Sequence, residues 1–100
     1  MTEMNNPVDK YWLIKNWDRY QHYKTRTPPW IKLHYEILHS ADWLFADDTS
    51  KLLMMICLLI ASRNEGRVPN RPELIQRVAG LQEVPDLAPL LASGFLQADA

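Results

Sequence analysis

One hundred residues, 47% of them apolar, suffice for one packed domain and exclude a disordered composition. The formal net charge of −1 excludes the strongly basic balance of a dedicated nucleic-acid coat. The lone Cys57 excludes an internal disulfide, and its place inside an apolar run reads as a small buried hydrophobe.

Residues 1–10 are polar, contain Pro7 and read as a loose tail without a targeting segment, so the expected compartment is the cytoplasm. Residues 11–100 form the expected single domain. Residues 11–17 are rich in aromatic and branched side chains and predict a strand. Trp17, Tyr20 and Tyr23 then recur at a spacing of three, which suits either a short helical turn or an extended segment across the core. Thr27-Pro28-Pro29 starts a predicted helix over about 28–39, with Trp30, Leu33 and Ile37 on its inner stripe. Residues 40–46 read as a connection, with Trp43, Leu44 and Phe45 folding back onto the core.

The chain is organised around residues 52–61, ten consecutive apolar residues. Without a polar face, this run predicts a helix over about 49–64 that is buried on all sides, with Ile56 and Leu59 at its centre. Asp47, Asp48, Thr49 and Ser50 offer caps and negative charge at its start, Arg63 lies in its last turn, and Gly66 follows its end. The run is too short for a bilayer, which needs about 20 residues. Residues 67–69 are short and extended. Asn70 and Glu73 form a capping box for a helix over 71–79, with Leu74, Ile75 and Val78 inward and Gly80 at its end. Asp86 caps a last helix that contains Pro89 and ends before Gly94; residues 95–97 are a candidate strand against 12–16.

A long helix, a short helix, a tight turn, another short helix and a strand make a mostly α, α+β skeleton of the winged helix-turn-helix kind. The stretch 14–24 (IKNWDRYQHYK), with 28–33 (PPWIKL) and 61–69 (ASRNEGRVP), resembles the N-terminal region of phage and prophage replisome-organiser or replication-initiator proteins, over about residues 11–97. The resemblance implies a winged-helix DNA-binding domain. The chain departs from that pattern where it reaches Ala100, at the place of a wing hairpin. It departs again in the second motif helix, 86–93, which carries no Arg, Lys, Asn or Gln for base edges.

The charges are unevenly placed. The segment Lys15, Trp17, Arg19, Tyr20, Tyr23, Lys24 and Arg26, with Lys32 beyond it, combines cations for phosphate with rings that could stack on bases. The same rings could instead pack on the core beneath solvated cations. Arg67, Arg71 and Arg77 surround the helix that starts near Asn70 and suit phosphate; Glu73 and Arg77 equally make an ordinary i,i+4 surface pair. After Arg77 there is no Lys or Arg, so Glu83 and Asp86 give an acidic C-terminal face suited to protein. His22, His34 and His39 with Asp42 lack the spacing of a metal site, and only three glycines leave no phosphate loop.

The functional expectation is therefore a non-enzymatic protein without cofactor, small-molecule substrate or membrane contact. It acts on DNA, weakly and mostly through phosphate, or on a nucleoprotein complex in phage replication or regulation. The alternative on the same fold is a protein-binding inhibitor of host machinery, of the anti-CRISPR kind.

Overall fold

The structure is a computed structural model, and it describes residues 11–21 and 29–98. The expected tail at 1–10 lies outside the described residues. In chain order come strand β1 (Tyr11–Ile14), helix α1 (Trp17–Tyr20), a 3-10 turn (Tyr35–His39), α2 (Ala41–Leu44), α3 (Asp48–Ala61), β2 (Arg67–Pro69), α4 (Pro72–Ala79), α5 (Ala88–Ser93) and β3 (Leu96–Ala98). The chain is thus α+β, with a three-stranded antiparallel sheet ordered β2-β1-β3.

The N-terminal strand occupies the middle of the sheet. Trp12 pairs with Val68 and Ala98, and Ile14 with Leu96. Side chains alternate across a sheet, so Trp12, Ile14, Val68 and Leu96 turn toward the core, and Leu13, Arg67 and Gln97 line the outer face. Packing on one face with the other wet is the common arrangement of an antiparallel sheet. The strand is shorter than the predicted 11–17. It ends because Asn16 takes a left-handed conformation (φ 61°) and opens α1, the helical alternative for the Trp17–Tyr20 spacing.

Helix α3 starts where its cap dictates: the Ser50 N–H donates to Asp47 Oδ1 at 2.8 Å. It ends at Ala61, so Arg63 lies beyond the last turn, in a loop that Glu65 (φ 57°) and Gly66 (φ 86°) reverse. Leu53, Met54, Cys57, Leu58 and Ala61 are buried. The expectation of burial on all sides is corrected here. Leu52 and Leu59 are each half exposed, and Ile56 only partly buried, because β1, β2 and α5 all meet α3 on one side.

The predicted helix over 28–39 does not form; only the 3-10 turn at its end is helical. Residues 30–34 run without helix because the buried Gln21 side chain clamps Lys32. Gln21 Nε2 donates to the Lys32 carbonyl at 2.6 Å, and the Lys32 N–H donates to Gln21 Oε1 at 3.0 Å. Both backbone groups that a helix would use are thus taken by one amide. Within 40–46, Ser40 caps the single turn α2 through the Trp43 N–H. Trp43 packs on the core, but Leu44 and Phe45 face water, contrary to expectation.

The predicted capping box at Asn70 is absent. Pro72 occupies the first turn of α4, so Arg71 becomes the cap residue and Asn70 lies one position too early. Ile75 is fully buried and Leu74 partly so, but Val78 is exposed, because the inward stripe of so short a helix covers one turn only. Gly80 and Gly94 end α4 and α5 in the left-handed region, as their positions predict. Asp86 Oδ1 accepts from the Ala88 N–H at 3.0 Å, one residue before the formal cap, Leu87.

Candidate interaction surface

The expected cations are spread over separate parts of the fold. Lys15 Nζ forms an ion pair with Asp42 Oδ2 at 3.2 Å, tying the end of β1 to α2. Lys15 and Lys32 line a cleft of about 200 Å³ under the 3-10 turn, but Glu36 and Asp42 line it too, so its charge is mixed. Its walls include Met54, Leu58 and Phe95 from the core. Arg19 is exposed on α1. Arg67 stands on the outer sheet face opposite Leu13, Arg71 is exposed at the start of α4, and Arg77 is exposed in its last turn. Lys24, Arg26 and Tyr23 lie outside the described residues, as does the Tyr20 side chain.

Trp17 is partly buried and packs against the core, with its ring seated on Gly66. A Cβ built at Gly66 would stand 2.6 Å from Trp17 Cδ1, so the absent side chain makes room for the indole. The ring is thus held from one side by the β2 turn.

The acidic pair expected on the C-terminal face is exposed: Glu83 and Asp86 both lie in the link between α4 and α5. The leucines beside them are spent on packing. Leu87 and Leu90 are buried and Leu91 leans on the core. The exposed positions of α5 are Ala88, Pro89, Ala92 and Ser93.

Six of the eleven large apolar side chains exposed among the described residues come instead from residues 30–45. Trp30, Leu33, Tyr35, Leu38, Leu44 and Phe45 are all exposed, Phe45 to 89%. Tyr35 and His39 meet edge to face at 5.5 Å, which stiffens the 3-10 turn. This surface was not legible as a site. One signal was present: three large apolar residues in a row, Trp43 to Phe45, cannot all point inward from a single helical turn.

The remaining chemistry is sparse. Burial pushes the Cys57 thiol up to about 12, which keeps it protonated and unreactive. The Ser50 hydroxyl and N–H hold the Asp47 carboxyl below its ordinary range, the signature of a cap. Among the described residues no group of His, Cys, Asp and Glu is arranged to hold a metal ion. No helix among them is long and apolar enough to cross a membrane. No family model, no curated protein and no solved structure matches the chain.

Proposed function

We propose that this chain is a non-enzymatic, winged-helix-like binding module that acts on a nucleoprotein complex by docking on its protein component. The order α3-β2-α4-α5-β3 supports this reading, since it resembles a winged helix-turn-helix in which α4 and α5 would be the motif helices and α5 would take the reading position. One observation carries the reading. The exposed side of α5 offers Ala88, Pro89, Ala92 and Ser93, which include no cation and no amide for base edges. Large apolar side chains are exposed over residues 30–45 instead, and aromatic and aliphatic anchors of that kind suit a protein partner. The resemblance to phage replication-initiator domains supplies the nucleoprotein setting. An inhibitor of host machinery, of the anti-CRISPR kind, would use the same surface.

A second reading rests on Arg71 and Arg77, exposed at the two ends of α4, with Arg67 on the adjoining strand. These would give phosphate contacts without sequence preference, lost steeply with salt. Lys15, Arg19 and Lys32, together with Lys24 and Arg26, would add to them.

The test is a duplex titration at two salt concentrations, beside photo-crosslinking from position 38 in the expressing cell. The docking reading expects duplex affinity no tighter than the non-specific range of about 10⁻⁴–10⁻⁶ M, and crosslinks to protein. Tight binding that Arg71→Ala and Arg77→Ala weaken alike on unrelated sequences, without protein crosslinks, would establish the phosphate reading instead.

A further inference from the structure

We propose that the groove between α2 and α5 receives a basic, apolar segment of a partner protein: one large apolar side chain enters the groove, and flanking Lys or Arg side chains meet the carboxylates on its rim. The inference rests on the protein-docking reading above and assigns that reading a site and a chemistry.

The groove has a volume of about 490 Å³. Ala41 and Phe45 line it from the α2 side and Pro89 and Ser93 from α5, with Met54 of α3 between. The position of Phe45 follows from local geometry. Ser40 starts the single turn of α2, Trp43 is drawn onto the core, and two residues further the chain has rotated by roughly 200°. Phe45 therefore stands outward beside the groove with 89% of its surface in water. Ser50 and Ala46 complete the lining with small side chains, which leave space for a guest.

The sign of the charge selects the guest. Among the described residues, the charged ones lining the groove are Asp42 and Asp47, and the exposed Asp48 follows at the start of α3. Asp42 is tied to Lys15, whereas Asp47 and Asp48 lie at the surface. The α5 wall brings no charge, and the link before it carries Glu83 and Asp86. Lys51, one turn beyond Asp47, lies over the Trp43 ring at 5.6 Å and also acts on the Asp47 carboxyl, so Asp48 leaves this edge with one carboxylate in excess. An incoming cation thus meets a complementary field, and an incoming carboxylate meets repulsion. An apolar cavity beside an exposed ring, with carboxylates in excess at its edge, has the anatomy of a small interface centre with a charged rim.

The experiment follows backbone amide shifts of the labelled full chain. Three synthetic peptides are titrated: one interleaving Leu and Phe with Lys, the same peptide with Glu for Lys, and one with Ser for Leu and Phe. The first is expected to bind and to shift Ala41, Ala46, Met54 and Ser93; the other two are not. Phe45→Ser, at a position already exposed, should weaken binding about tenfold or more, as loss of an interface anchor does. Asp47→Asn with Asp48→Asn preserves the cap and should weaken binding about two- to tenfold, with a flatter salt dependence. Circular dichroism verifies that each variant is folded. Equal binding of the Glu peptide, shifts confined to other surfaces, indifference to Phe45→Ser, or no saturable binding would each overturn the proposal. So would sedimentation showing a dimer abolished by Phe45→Ser, which would assign the groove to a second copy. Failure here while position 38 still crosslinks to protein removes the groove and leaves the docking reading in place.

Discussion

Replacing Gly66 by Ala tests how α1 is held to the rest of the fold. Two costs add at this position. Gly66 has φ +86°, a left-handed conformation that costs an L residue about 1–2 kcal/mol. The added Cβ would also lie 2.6 Å from Trp17 Cδ1 and 2.8 Å from Cγ, so the indole must retreat by nearly an ångström from its packed position. Overpacking of this kind costs about 1–3 kcal/mol, and the lower chain entropy of unfolded Ala returns about 0.4–1 kcal/mol. The net destabilisation is about 1–5 kcal/mol, centred near 3 kcal/mol. For a domain of this size each kcal/mol moves the midpoint by about 4–8 °C, so thermal melting should fall by roughly 10–30 °C. Gly80 separates the two costs, because it has φ +71° but nothing within 4 Å of its added Cβ. Gly80→Ala should therefore cost only about 1 kcal/mol. Melting followed by circular dichroism, with the near-ultraviolet band reporting on the tryptophans, provides the comparison. Equal losses for Gly66→Ala and Gly80→Ala would refute the contact with Trp17. A Trp17→Ala background should abolish most of the difference between the two.

Three further outcomes follow from the core, the clamp and the cap. Leu90→Ala, at a fully buried site, should cost about 2–5 kcal/mol in denaturant unfolding, while Leu59→Ala, half exposed, should cost under about 1.5 kcal/mol; similar values would mean that the far side of α3 is covered. Gln21→Leu keeps the bulk but removes both bonds to Lys32, and should cost about 1–3 kcal/mol and raise amide exchange over residues 30–34; unchanged exchange at Lys32 would disprove the clamp. Because the Asp47 carboxyl is depressed in the folded state, its contribution is present above the unfolded value near 3.8 and is lost as pH falls through the folded one. Asp47→Asn should keep the cap and flatten the stability profile below about pH 4, and Asp47→Ala should be less stable than wild type at neutral pH; identical acid profiles for wild type and Asp47→Asn would contradict this.

What could be read from the sequence is what depends on neighbours within a few residues. Asp47 starts α3 because its carboxylate reaches the N–H of Ser50, and Gly80 and Gly94 end their helices because a left-handed residue is needed there. The pairing of the two chain ends was also legible, expected as 12–16 with 95–97 and formed as 12–14 with 96–98, since short branched and aromatic runs must find partners in so small a chain. The cations and acids of the candidate surfaces could be named, but not grouped: Lys15 is bound to Asp42, 27 residues away, which no local pattern encodes. Tertiary structure alone decided three other matters. Gln21 captured Lys32 and kept residues 30–34 out of a helix, although their apolar spacing suited one. The apolar run of α3 could not say which side would be covered, because a helix without a polar face has no preferred side; the sheet and α5 chose Met54 and Cys57 and left Leu52 and Leu59 half in water. Phe45 was exposed for the same reason. Local periodicity tells a side chain its direction from the helix axis, but burial requires a second element in that direction, and only the assembled fold determines where such elements stand.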